Sequence, residues 1–187
     1  ADTHVNGLMT VHVDDFIYAG TQEFQSSVGN DILDCFQIKS QEMTSFLYLG
    51  LDVIQDPDSF EITVGQGKYI QDLKTIQLSN IRKSQKTHAL NSSEYAQFRS
   101  GVGQINWLAC QTRPDISFAS CQLSNNVKDP NIADVLQYNK LVKKLQQEDD
   151  IPLSFKAIPS INEGVRLLTY SDAAYGNLTN SGSQCGY

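Results

Sequence analysis

The sequence predicts an α+β protein with antiparallel β-structure. Two stretches near its start, residues 8–18 and 47–64, carry the alternating apolar pattern of β-hairpins, with turn residues between the strands. Between Tyr95 and Leu145 the apolar residues instead recur every three or four positions, as in helices with one buried face. Strand-like alternation returns at Leu153 and Phe155.

Composition and charge limit the classes of function. The chain has 187 residues, of which 40% are hydrophobic and 19% charged, a profile typical of a folded domain. No run approaches the roughly 20 apolar residues that span a bilayer, and the first residues lack the features of a signal peptide. We therefore expect an intracellular protein without membrane contact. The net charge of −7, with a notable basic cluster only at residues 82–88, indicates weak or no nucleic-acid binding by this chain.

The first hairpin presents two adjacent carboxylates. Asp14 and Asp15 interrupt two short runs of β-branched and aromatic residues, and Gly7 and Gly20 bound the segment. A polar hairpin turn would account for the pair, because Asp is favoured in turns. Two neighbouring carboxylates, joined by a third from another strand, can also hold two Mg²⁺ ions for phosphoryl transfer. On the residues alone, both interpretations stay open.

The remaining elements follow from periodicity and from turn residues. The polar, basic segment 75–90 has little periodicity, so we interpret it as a linker. The other predicted elements are a helix from Thr21 to Phe36, a return strand at Phe36–Lys39, hairpin strands at 47–53 and 60–64, a short helix at 68–74, and three helices that start near Asn91, Pro114 and Asp129.

The helical starts have physical reasons. Asn91 is followed three residues later by Glu94, which is the spacing of a capping box. Pro114 suits a first helical turn, where its missing N–H is not needed. Arg113 and Asp115 flank this proline, and we expect them to stabilise a sharp corner, not to catalyse.

Three motifs in the second half of the chain occur in a fixed order. They read Phe98-Arg-Ser-Gly-Val-Gly-Gln-Ile-Asn-Trp-Leu-Ala109, Thr112-Arg-Pro-Asp-Ile116 and Leu123-Ser124. They are similar to the signature of copia-type (Pseudoviridae-like) retrotransposons, Tyr-Arg-Ser-x-Val-Gly-x-Leu-x-Tyr-Leu-Ala, Thr-Arg-Pro-Asp-Ile and Leu-Ser. The chain therefore resembles part of the Pol polyprotein of these transposable elements.

Further segments extend the resemblance over nearly the whole chain. His12-Val13-Asp14-Asp15 occupies the place of the Tyr-x-Asp-Asp hairpin of reverse transcriptases, with His in place of Tyr. Phe46-Leu-Tyr-Leu-Gly50 resembles the primer-grip hairpin. Ser171-Asp172-Ala173 resembles the end of the first strand of the ribonuclease H domain.

The resemblance implies a domain order. Residues 1–74 would be the second half of a palm-like antiparallel sheet with a packed helix, followed by the linker at 75–90. Residues 91–150 would be a helical, thumb-like or connection-like region, and residues 151–187 the truncated start of a ribonuclease H-like domain. The parent would be an RNA-directed DNA polymerase that acts on an RNA template and a DNA primer, in cytoplasmic virus-like particles or in the nucleus.

The resemblance also assigns residues. Asp14 and Asp15 would bind Mg²⁺ or Mn²⁺ in two-metal nucleotidyl transfer, and Asp172 would do so in the ribonuclease H step. Lys39 matches the lysine of a Phe-x-x-Lys element and is a candidate to protonate the departing pyrophosphate. Contacts to the primer or nucleotide would come from His12, Phe46, Leu49 and Gly50.

We expect this chain alone to be inactive, because the first metal-binding Asp of the palm would lie upstream and most of ribonuclease H is missing. An alternative is a host-retained, non-catalytic binding or scaffold domain derived from such an element, which the acidic balance and His12 favour. An uninterrupted upstream frame that encodes integrase would support the element. A host promoter with a native start codon would support the retained domain.

Overall fold

A computed structural model describes residues 5–157 and 167–169, and the backbone of residues 172–174 and 184–186. The chain divides into two units, Ala1–Phe155 and Lys156–Tyr187. The predicted α+β class with antiparallel sheets is confirmed, since every strand pair among the described residues is antiparallel.

The first part of the chain is a hairpin covered by one helix. Its elements are β1 (Gly7–His12), β2 (Asp15–Gly20) and α1 (Gln22–Cys35). Thr21 caps α1 as predicted, its hydroxyl accepting a hydrogen bond from the N–H of Phe24. The ring of Phe24 lies against Gly7 and Gly20, where a Cβ atom would collide with it. The two glycines therefore let α1 pack closely on one face of the hairpin.

The return strand predicted at Phe36–Lys39 is wrong. Residues 36–44 contain no strand. Phe36 ends α1 with an extended backbone, and its ring centroid lies 5.4 Å from that of Phe16 in β2. The ring of Phe36, which indicated a strand, packs onto the hairpin instead. Among the described residues, no strand pairs with this segment.

A second sheet contains four strands in the order β3-β4-β5-β6. They are β3 (Ser45–Tyr48), β4 (Leu51–Gln55), β5 (Ile62–Gly65) and β6 (Leu153–Phe155). The single strand predicted at 47–53 is two strands, because the chain reverses at Leu49 and Gly50, whose φ angles are 53° and 79°. Positive φ at both central residues is typical of a two-residue hairpin turn.

The strand predicted at Leu153 and Phe155 is confirmed as β6, but it has an unexpected partner. It pairs with β5, from Val64 opposite Leu153 to Ile62 opposite Phe155. It therefore belongs to the first unit and not to the segment 151–187 that the sequence assigned to a separate domain.

Five helices and a 3₁₀ turn follow β5, and no helix in the described residues is long and apolar enough to cross a membrane. They are α2 (Gly67–Asp72), α3 (Asn80–Ser84), α4 (Ser92–Gln111), the turn Pro114–Ile116, α5 (Ser117–Asn125) and α6 (Ile132–Gln147).

Capping boxes start the two long helices. The predicted box of α4 is confirmed, with 2.9 Å hydrogen bonds from the Glu94 N–H to Asn91 Oδ1 and from the Asn91 N–H to Glu94 Oε2. A second box, Asn131 with Asp134, starts α6. The cap predicted at Asp129 is therefore two residues too early.

Arg113 and Asp115 form the predicted corner after α4. The Arg113 side chain is buried and donates from Nε and Nη2 to the two carboxylate oxygens of Asp115, both at 2.8 Å. These hydrogen bonds hold the pKa of Asp115 below its usual range. Pro114 starts a 3₁₀ turn and not an α-helix.

The core lies among α4, α5, α6 and the residues that follow α2. Its members include the buried side chains of Leu73, Phe98, Ile105, Leu108, Leu123, Tyr138 and Leu145. Helices α4 and α6 are in close contact at Gly101, where a Cβ atom would lie 2.5 Å from the Tyr138 ring. The ring cannot move away easily, because its hydroxyl donates a 2.9 Å hydrogen bond to the Lys74 carbonyl.

Segment 75–90 packs on the helices and does not form the predicted linker. Ile76 is buried, its N–H donates to Asn139 Oδ1 at 2.7 Å, and its carbonyl accepts from Asn139 Nδ2 at 2.8 Å. Arg82 in α3 donates hydrogen bonds of 2.9 and 2.7 Å to the Glu94 carboxylate. Polar residues of this segment, such as Arg82, thus pair with groups on the helices.

The contact at Gly101 predicts opposite effects for two glycines of one helix. We expect Gly101→Ala to destabilise the protein by about 1–3 kcal/mol, because its methyl group would overpack against Tyr138. Gly103→Ala is the control: nothing lies within 4 Å of its Cβ position. It should stabilise by about 1 kcal/mol through helix propensity. Urea melts measure both, and equal changes would refute the close contact.

The pH dependence of stability should report the Arg82–Glu94 pair. Hydrogen bonds from Arg82 hold the pKa of Glu94 below its usual range. The ion pair therefore stabilises the fold fully above the unfolded pKa of a Glu side chain, about 4.3. This stabilisation is lost as the pH falls through the lower pKa that Glu94 has in the folded protein. We expect Glu94→Gln to lower stability at neutral pH and to flatten its decline in acid. Urea melts from neutral to acid pH measure the stability of this variant, with Glu42→Gln at an exposed residue as the control. Identical pH profiles for the two variants would contradict the role of the Arg82–Glu94 pair.

Candidate active-site hairpin

Asp14 and Asp15 lie at the tip of the β1–β2 hairpin. His12 opposite Asp15 is the last pair of the ladder, so Val13 and Asp14 form a two-residue turn. Asp14 is in the turn and Asp15 is the first residue of β2. Both carboxylates are exposed. The expected hairpin turn with an adjacent acidic pair is thus present.

The turn is strained at Val13. Its φ angle is 57° and its side chain is 85% exposed. A left-handed conformation costs an L-residue about 1–2 kcal/mol, and more crowding arises when the side chain is β-branched. No burial of the Val13 side chain offsets this cost, so the pairing of the two strands must hold the turn. Thr44, Leu49 and Phe60 also have positive φ, so strain of this kind is not confined to the acidic hairpin.

The ladder register places His12 on the same face as Asp15. Val11, opposite Phe16, belongs to the face on which α1 packs, and alternation puts the His12–Asp15 pair on the other face. Both residues are exposed. The side of the hairpin tip away from α1 therefore carries an imidazole beside a carboxylate.

The hairpin fits only part of a two-metal site. Its two carboxylates are the hard oxygen ligands that Mg²⁺ prefers. In the part of the chain that the structure describes, however, no group of three or more His, Cys, Asp or Glu residues could hold a metal ion. Asp14 and Asp15 supply two ligands, and a pair of clamped ions needs more.

The other predicted site residues lie on different elements. Lys39 is exposed in the irregular segment 36–44. Phe46 is half-buried in β3, and Leu49 with Gly50 forms the β3–β4 turn. Asp172 starts β7 (Asp172–Ala174), which pairs with β8 (Gln184–Gly186); its side chain lies outside the described residues. His12 thus lies beside the acidic pair, whereas Phe46 lies in the strand that leads into the Leu49–Gly50 turn.

The sequence did not single out a groove lined by four lysines. Lys83 from α3 joins Lys140, Lys143 and Lys144 from α6 around a cavity of about 690 Å³, which we call the lysine groove. The only sequence signal is the spacing of the three α6 lysines, which places them on one helix face. Lys83 is distant along the chain and joins them only in the fold.

No protein-family model, curated protein or solved structure matches the chain. A functional interpretation therefore depends on the motifs and the geometry described above.

Proposed function

We propose that this chain is part of a copia-type reverse transcriptase, an RNA-directed DNA polymerase, with the β1–β2 hairpin carrying two of its metal-binding carboxylates. The observation that carries the proposal is the exposed acidic pair at the tip of the β1–β2 hairpin, with His12 on the face of Asp15.

The arrangement of elements supports the same proposal. One helix, α1, covers one face of the hairpin, and the other face is open to a substrate. In this proposal the hairpin and the second sheet are parts of the palm, with Leu49 and Gly50 in a primer-grip turn. The three helices α4 to α6, whose core also includes Ile70, Leu73 and Ile76, are the thumb-like or connection-like region. The antiparallel pair β7–β8, with Asp172 at its start, is the beginning of ribonuclease H.

The hairpin residues would supply metal ligands and a contact to the substrate. Asp14 and Asp15 would bind Mg²⁺ or Mn²⁺, and such ions supply Lewis acidity and charge neutralisation in phosphoryl transfer. Because both carboxylates are exposed, a polymeric substrate can reach them. His12, on the face of Asp15, would border the nucleotide or primer end in place of the usual Tyr.

Metal titration tests the assignment of the carboxylates. We expect Asp14→Ala to weaken Mn²⁺ binding about tenfold, because affinity depends on the number of ligand charges. Asp58→Ala is the matched control, since Asp58 is exposed in another hairpin turn, where the Asp56 carboxylate, not that of Asp58, accepts the turn hydrogen bonds. Water-proton relaxation measures the bound Mn²⁺. If the two variants lose the same affinity, the acidic pair is only a turn.

Primer extension tests whether the site is complete. We expect no incorporation on poly(rA)·oligo(dT) with Mg²⁺ or Mn²⁺, because two-metal transfer needs ions held about 4 Å apart. The described residues contain no set of three ligands for this. Incorporation by the chain that the Asp14→Ala/Asp15→Ala double variant abolishes would show a working polymerase and overturn the expected inactivity.

A further inference from the structure

The lysine groove combines a basic rim with an apolar lining. Four exposed lysines form the rim: Lys83 on α3, and Lys140, Lys143 and Lys144 on α6. The less exposed part of the lining is apolar, since Ile76 is 4% exposed and Leu78 and Leu136 are half-buried. The aliphatic stems of the lysines add to this apolar surface. A ligand in the groove therefore meets apolar groups as well as ammonium groups.

The groove is held in shape by hydrogen bonds that need no ligand. The Asn139 amide makes two hydrogen bonds to the backbone of Ile76, at 2.7 and 2.8 Å, and so fixes one wall to α6. Tyr138 holds the preceding turn through its 2.9 Å hydrogen bond to the Lys74 carbonyl. A preformed groove loses little conformational entropy when a ligand binds.

The local charge of the groove is opposite to that of the whole chain. Glu148 is the single acidic residue among the described residues that line it, so four lysines and one glutamate leave a charge of +3 within a chain of net charge −7. The Glu148 carboxylate lies 3.6 Å from the ammonium group of Lys144. One carboxylate contact of the rim is therefore already present within the chain.

The length of the groove suits a short peptide. On α6 the lining residues recur every three or four positions from Leu136 through Lys140 and Lys143 to Gln147, which places them in one stripe along the helix. At 1.5 Å per residue this stripe is about 17 Å long. An extended peptide of about five residues covers the same distance.

We propose that the lysine groove binds a short acidic peptide segment of another protein, with one large apolar side chain between its carboxylates. The carboxylates would pair with the ammonium groups of the rim, and the apolar side chain would cover Leu78 and Leu136. Charge complementarity of this kind directs the encounter and fixes the register of the partner. The proposal concerns this groove alone and goes beyond the function proposed for the hairpin.

A nucleic-acid strand and a membrane surface fit the groove less well. None of the described residues that line it is aromatic or an arginine, so bases have no side chain on which to stack. Helices that lie on anionic bilayers expose apolar residues that insert into the headgroup region. Here Ile76 is nearly inaccessible, and the leucines are half-buried. A peptide side chain can enter the groove and use this lining.

Fluorescence anisotropy of a labelled peptide with four acidic residues around one leucine tests the proposal on the full chain. Binding should weaken as salt is raised, because the rim is exposed to solvent. We expect Lys140→Gln/Lys143→Gln to weaken binding about tenfold, through the loss of two exposed ion pairs. Glu148→Gln should tighten it, because it removes the carboxylate that competes for Lys144.

The apolar part of the proposal is tested by changing the peptide, which cannot unfold the protein. A peptide with serine in place of the leucine should bind about tenfold more weakly, because it leaves the apolar lining uncovered. Equal binding of the leucine and serine peptides would overturn the proposal.

Matched controls separate the other outcomes. Lys68→Gln/Lys128→Gln removes the same charge from exposed lysines that do not line the groove, and it should leave binding unchanged. Equal losses for the two double variants would overturn the proposal. Tighter binding of a pentameric oligo(dT), which carries the same four charges, or of phosphatidylserine vesicles would do so as well. The Asp14→Ala/Asp15→Ala variant should bind the peptide normally, so failure of the hairpin assignment and failure of the groove are distinguishable.

Discussion

The contact of Tyr138 with Gly101 is the constraint on which the helical part of the structure depends. The Tyr138 ring lies against Gly101 between α4 and α6, and its burial raises the pKa of this phenol to about 12. A buried hydroxyl requires a partner, and the Lys74 carbonyl provides it. The next residue, Asn139, satisfies both backbone groups of Ile76. One turn of α6 thus positions a second helix and the chain segment that follows α2.

The two candidate sites differ in how the fold supports them. No residue of α1 is buried, so the acidic hairpin relies on its own ladder and on a few aromatic contacts such as Phe16 with Phe36. The lysine groove instead lies beside the core, with Ile76 buried in it and α6 contributing both core residues and the lysines. The first site is open and strained, and the second is preformed.

The features that sequence predicted well are those set by neighbouring residues. The hairpin with Asp14 and Asp15 and the capping box at Asn91 follow from spacing within a few positions. The reversal at Leu49 was missed because the alternation of apolar residues continues across it without a break. The base of the lysine groove and the partner of β6 depend on contacts between distant segments, such as Asn139 with Ile76, and no local pattern encodes these.

The pairing of β6 with β5 has a consequence for the order of folding. Strands β3, β4 and β5 are neighbours in sequence and can associate early, because closing short loops costs little entropy. The second partner of β5, residues 153–155, follows α6, the last helix among the described residues. During synthesis the outer edge of β5 therefore stays unpaired until the helical core has been made, and its exposed backbone groups are open to strands of other chains in that interval. The last strand of the first unit closes this edge and ends that period of vulnerability.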